Sequence, residues 1–167
     1  MLYFVGVDPG KSGAIAMINE IQDVILLEDW PGDEVQAAKL IWRICDLVDR
    51  TCDKIFGAIE KVHAMPMIPI KGQGGMKGMS STASFTFGAG WGIWKGIFAA
   101  CEIPFLEPRP QDWMKGVFKK SDGKVANMAA AARTFPSAQI YGPRGGKKDG
   151  RADALLIADW RRRQMLQ

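Results

Sequence analysis

The stretch Met1-Leu-Tyr-Phe-Val-Gly-Val-Asp8-Pro-Gly10-Lys-Ser-Gly13-Ala-Ile15 decides how the rest of the chain is read. Leu2 to Val7 is an apolar run in which Tyr3, Phe4 and Val5 favour extended backbone, so it reads as a buried strand ending in one carboxylate, Asp8. Pro9, Gly10 and Gly13 force a turn, and Ala14 to Ile18 reads as a second strand running back. Asp8 is thereby fixed on a rigid hairpin at the mouth of a sheet, the placement a metal ligand needs. The run Gly10-Lys11-Ser12 invites a phosphate-loop reading. That motif requires a first glycine at position 5, which is Val, and a helix after the Lys-Ser pair, where this chain has a strand-like run.

Length and composition narrow the class. A chain of 167 residues, 47% of them apolar, suits a single domain over 1–167 with one packed core. No apolar run approaches the roughly 20 residues of a membrane span. The N-terminus lacks the basic start, apolar core and small-residue cleavage site of a secretory signal, which points to the cytoplasm. Cys45, Cys52 and Cys101 form no Cys-x-x-Cys pair and read as reduced, mostly buried thiols; with His63 as the only histidine, they do not make a zinc centre. Charge is divided along the chain. Residues 1–108 hold 9 Lys/Arg and 13 Asp/Glu, whereas residues 109–167 hold 13 and 5, so the cationic surface is C-terminal. With a pI near 9.0 and clustered carboxylates, this balance suits a polyanionic substrate.

Beyond the hairpin, Val24 to Leu27 reads as a third strand, and Asp33 caps a helix reaching about Asp49. Val35, Ala38, Ile41, Trp42, Cys45 and Val48 recur at helical spacing and are expected to form its buried face. Lys54 to Glu60 reads as a fourth strand, apolar on both faces until it ends in a second carboxylate, Glu60. Lys61 to Ser81 is rich in Gly, Met and Ile, contains no Asp or Glu, and reads as a long functional or mobile loop.

Ser81 to Cys101 reads as a helix with glycines at 88, 92 and 96 on one face, which implies close approach of another backbone, from the sheet or from a second subunit. Ile103 to Leu106 is the last expected strand, with Pro104 marking its start or an edge. The chain then turns basic through Arg109, Lys115, Lys119, Lys120 and Lys124. The last of these opens an Ala-rich helix to Thr134, entered through Ser121 or Asp122 and suited to phosphate contact. Tyr141 to Lys148 reads as a mobile linker into a final helix. On that helix Asp149 and Asp153 share one face about 6 Å apart, beside Ala154, Leu155, Ile157 and Ala158, which can pack on the sheet.

Two strand-end acids and two acids on a closing helix make an all-oxygen donor set. With no His or Cys, that set selects Mg²⁺ or Mn²⁺ over zinc. Two such ions about 3.5–4 Å apart clamp a phosphodiester, one activating water and the other stabilising the leaving 3′ oxygen.

Gly6-Val-Asp8-Pro-Gly10 with Ser12-Gly13, Ile59-Glu60, Pro108 to Lys115 with its Trp113, and Ala152-Asp153-Ala154 together resemble the RuvC-type Holliday junction resolvases, bacterial or bacteriophage nucleases of the ribonuclease H-like superfamily. The resemblance implies an α/β ribonuclease H-like fold with a mixed five-stranded sheet flanked by helices. It implies Asp8, Glu60, Asp149 and Asp153 as ligands of two Mg²⁺ ions, and Lys124 or a neighbour near the scissile phosphate. Many relatives place the last two acids three residues apart; here they are four apart, still on one helical face.

The resemblance also implies a homodimer, since two matched nicks in a four-way DNA junction need two active sites related by a two-fold. The expected activity is Mg²⁺-dependent cleavage of four-way or other branched DNA, in the cytoplasm, or in the host's cytoplasm for a phage protein. A ribonuclease H-like nuclease acting on RNA–DNA hybrids and a non-catalytic junction-binding protein are the alternatives. The loop Met65 to Met79, with Lys71 and Lys77, is expected to be poorly ordered without DNA and to contact the junction centre.

Overall fold

The computed structural model of the chain describes residues 1–63, 67–69, 76–117 and 123–166, without the side chains at 76, 77, 123 and 124. Strands β1 (Leu2–Asp8), β2 (Ala14–Asn19) and β3 (Val24–Asp29) form an antiparallel meander. Helix α1 (Glu34–Asp46) leads to β4 (Lys54–Ile59), which pairs parallel to β1. A two-stranded ladder, β5 (Ile68–Pro69) with β6 (Met76–Lys77), precedes the long α2 (Ser81–Ala100). Strand β7 (Phe105–Leu106) joins β4 in parallel, and α3 (Pro110–Met114), α4 (Gly123–Thr134) and α5 (Asp149–Leu166) follow. The main sheet is mixed and five-stranded, in the order β3-β2-β1-β4-β7. Among the described residues no helix is long and apolar enough to cross a membrane.

Alternation along the strands divides the core into two layers. Val5, Val7, Ile15, Met17, Ile55 and Ile59 face α1 and α2, where Ile41, Ile44, Trp94 and Phe98 are buried. Phe4, Ala14, Ala16, Ile18 and Ala58 face the other way, against α4, α5 and Trp113 of α3. The residues under α5 are small for a steric reason. A Cβ on Gly6 would lie 2.2 Å from the Ala154 carbonyl oxygen and 2.3 Å from the Ala158 nitrogen, and one on Gly150 would lie 2.3 Å from the Ser12 carbonyl oxygen. Helix and sheet touch backbone to backbone along this seam.

Several sequence expectations are corrected. Asp33 caps α1 as expected, its carboxylate accepting from the Gln36 N–H at 2.8 Å, but the buried face is Ala37, Leu40, Ile41 and Ile44. Val35 and Trp42 are each 58% exposed. Both stripes are apolar, and the side on which the sheet lies selects between them. Of the thiols, Cys45 and Cys101 are half-buried and Cys52 is exposed.

The expected loop between Lys61 and Ser81 carries the β5–β6 ladder; residues 64–66 and 70–75, including Lys71 and most of the Met65–Met79 segment, lie outside the described residues, as do Lys119, Lys120, Ser121 and Asp122. Helix α3 was not anticipated, because five residues are too few to show a period. Gly88, Gly92 and Gly96 have open space where a Cβ would stand, so the sheet is not the neighbour of that stripe.

The segment Tyr141 to Lys148 is a closed turn rather than a linker. Gly142 N–H donates to the Gly146 carbonyl at 2.7 Å, Lys148 N–H to the Ile140 carbonyl at 3.0 Å, and Tyr141 bridges to Lys147. Asp29, at the end of β3, ties this turn to the sheet by accepting from Lys148 Nζ at 2.8 Å and from Arg151 Nε at 2.7 Å. Partial burial pulls the Asp29 carboxyl up, but the two cationic partners outweigh it and hold it below the ordinary carboxylate value.

The seam and the clamp each predict a stability effect. Gly6→Ala should lower unfolding free energy by about 3 kcal/mol, because its Cβ meets backbone that cannot swing aside; denaturant titration measures it. Asp29→Asn should cost up to about 1 kcal/mol at neutral pH, a modest value for half-exposed ion pairs. Because the folded pKa is depressed, this contribution is present above the unfolded value and is lost as pH falls through the folded one. The gap between parent and variant in urea midpoint should therefore close below about pH 4.

Candidate active site

Asp8 ends β1 with the same parity as Phe4 and Gly6, so the pleat directs it to the face that α5 covers. Its carboxylate accepts from the Gly10 N–H at 3.0 Å, and the Gly13 N–H closes the turn on the Gly10 carbonyl at 2.8 Å. Only glycine fits at 13, where a Cβ would stand 2.1 Å from the Asp8 carbonyl oxygen.

Glu60 follows β4 and shares parity with Phe56 and Ala58. Its N–H donates to the Val7 carbonyl at 3.0 Å, extending the β1–β4 ladder by one step beyond the Val7–Ile59 pair. Asp8 and Glu60 are therefore side by side on adjacent strand ends, about 5 Å apart in backbone and on the same face. Glu60 also accepts from the indole N–H of buried Trp113 at 3.3 Å. Trp113 is held there by α3, which begins with Pro110 and is closed by Asp112 accepting from the Arg109 N–H at 2.9 Å. The Lys61 N–H to Pro108 carbonyl bond, 2.8 Å, fastens that segment to the end of β4.

Helix α5 brings the other two acids. Gly150 sits on the Ser12–Gly13 turn, and Ala154 and Ala158 sit on Gly6, so Asp153 lies between these contacts, level with the end of β1. Asp149 starts the helix and borders a cleft with Lys11, Ser12 and Gly13. Asp153 accepts from the Asn127 side-chain amide of α4 at 2.5 Å. Asn127 is itself 5% exposed, and its amide oxygen accepts from the Met128 N–H at 2.7 Å. All four acids are half-buried.

The backbone thus gathers the four sequence-predicted acids at one end of the sheet. Among the described residues, however, no three His, Cys, Asp or Glu side chains converge closely enough to hold an ion as they stand. The donor chemistry fits a hard divalent cation: four carboxylates, held in part by Gly10, Trp113 and Asn127. Lys124 lies in the first turn of α4, and its side chain is outside the described residues.

Trp113 as a donor to Glu60 and Asn127 as a donor to Asp153 were missed from the sequence. An indole and an amide have no local pattern that distinguishes a site partner from an ordinary core residue.

Comparison of the sequence with protein-family models finds no match, and comparison with curated proteins finds none either. Among solved structures, T. thermophilus RuvC in complex with a Holliday junction substrate is similar, with a TM-score of 0.58 and 14% identity over 96% of this chain and 92% of that one. At that identity the likeness is one of fold, and it establishes that this chain has the RuvC-like, ribonuclease H-like α/β fold implied by its strand-end and closing-helix motifs.

Proposed function

We propose that the protein is a Mg²⁺-dependent endonuclease that resolves four-way DNA junctions, acting as a homodimer. The observation that carries this reading is the gathering of Asp8, Glu60, Asp149 and Asp153 at one sheet end, on the face closed by α5. It is supported by a fold shared with a nuclease solved on a Holliday junction and by the cationic C-terminal third of the chain.

In this reading Asp8, Glu60 and Asp153 hold the metal, with Asp149 completing the set one helical turn before Asp153. A Mg²⁺ ion held by these carboxylates would supply the means to activate a water and to stabilise the leaving 3′ oxygen. The chain's own part is to aim oxygens and exclude alternatives. The β1–β2 turn fixes Asp8 through the Gly10 N–H, Trp113 aims Glu60, and Asn127 aims Asp153. The indole and the amide are neutral, so they orient carboxylates without competing with a cation for their charge. Lys124 is the candidate cation for the scissile phosphate, as the resemblance implies.

Asp8→Asn, Glu60→Gln and Asp153→Asn should each lose cleavage of a four-way junction in Mg²⁺ while binding it as tightly as the parent or more so, because affinity comes mainly from cationic contacts to phosphate. Trp113→Phe, which keeps the ring and removes the donor, should raise the Mg²⁺ needed for half-maximal rate about tenfold. Nicking and gel-shift assays on junction, duplex and RNA–DNA hybrid decide the matter. Full activity in Asp153→Asn removes the nuclease reading, and preferential cutting of hybrid replaces the junction with another substrate.

The dimer is supported by α2, whose Ala89, Gly92, Gly96 and Ala99 form an exposed small-residue face, with exposed Phe85 at its end and open space above Gly92 and Gly96. Such a face lets a second helix backbone approach closely. Gly92→Leu should weaken self-association at least about tenfold by sedimentation or light scattering while leaving the fold intact; an unchanged dimer removes this face from the interface.

A further inference from the structure

A second charged surface adjoins the carboxylates. A cleft of about 710 Å³ opens between the β1–β2 turn, the end of β3 and the closed turn 141–148, and its walls include Lys11, Ser12, Arg144, Lys147 and Asp149. Lys11, Arg144 and Lys147 are exposed, and no ion pair holds any of them among the described residues. Lys148, in the same wall, is different: Asp29 already binds its ammonium at 2.8 Å.

The turn that carries Arg144 and Lys147 is built to present them. Gly145 adopts φ of +74°, which a side chain disfavours, and its N–H donates to the Gly142 carbonyl at 2.9 Å, so the backbone reverses tightly. Below the reversal, Asp29 clamps Lys148 and Arg151, and Arg151 also donates to the Gln139 carbonyl at 3.0 Å. The two free cations therefore stand on a preformed turn, where less conformational freedom is lost on binding. The clamp also matters for charge: Asp29 is neutralised within it, leaving the open part of the cleft cationic. Asp149 belongs both to the inner end of this cleft and to the gathered acids.

We propose that the cleft holds a backbone phosphate of the DNA strand, flanking the phosphate to be cut, between Lys11, Arg144 and Lys147. This rests on the nuclease reading of the adjacent site. A strand whose reacting phosphate lies at the acids continues past Asp149 into this opening. Exposed cations around an open cleft suit successive phosphates of a polyanion and carry no base preference.

The test uses the full chain and a four-way junction, with binding measured by fluorescence anisotropy without divalent cation, between about 50 and 200 mM salt. The variants are Lys11→Ala, the double variant Arg144→Ala/Lys147→Ala, the charge-keeping Arg144→Lys, and Lys54→Ala at the opposite end of the sheet. The slope of log Kd against log salt should flatten by about one when the grip on this phosphate is lost, most fully in the double variant. Arg144→Lys and Lys54→Ala should follow the parent. If the double variant keeps the parent's slope and affinity, or if Lys54→Ala weakens binding as much, the grip is wrong while the nuclease reading stands. If the parent protein binds no junction, both fall.

Discussion

Everything about this site depends on how closely α5 can lie on β1. The absence of a side chain at Gly6 lets the Ala154 carbonyl and the Ala158 nitrogen rest where a Cβ would otherwise be, and Gly150 does the same over Ser12. Small residues at Ala14, Ala16 and Ala58 extend the seam across three strands. Larger side chains at these positions would push α5 off β1 and so move Asp149 and Asp153 away from Asp8 and Glu60. Close packing at the seam is what brings Asp153 level with the end of β1. The opposite face of the sheet, under α1 and α2, has no such demand and is filled with Ile, Trp and Phe.

Gathered carboxylates repel one another, and among the described residues three of the four meet short, uncharged donors. Gly10 N–H, the Trp113 indole and the Asn127 amide each meet one acid. Among the described cations nearby, Lys148 and Arg151 are held on Asp29, and Arg109 on Asp112.

Much of this was legible in the sequence because it is written in local periods. The alternation of β1 and β4 places Asp8 and Glu60 on one face, and the four-residue spacing of Asp149 and Asp153 places them on one side of a helix. The mixed five-stranded sheet is the one the family resemblance implied. What escaped was decided at a distance. The Trp113–Glu60 and Asn127–Asp153 bonds join residues 53 and 26 positions apart. The choice between two apolar stripes on α1 depends on where the sheet lies. The Gly- and Pro-rich 141–148 segment has the composition of a linker, and its closure rests on an Asp29 clamp more than a hundred residues away.

The seam also sets an order of events during synthesis. Strand β1 is made well before α5, yet the face that carries Asp8 stays bare until α5 has been made. A nascent chain extended only through α4 exposes Phe4, Ala14, Ala16 and Ile18 to water. Such a chain gains little by settling early, since its largest long-range interface is still missing. A chain cut short before α5 therefore lacks Asp149 and Asp153 together with the helix that completes this layer of the core.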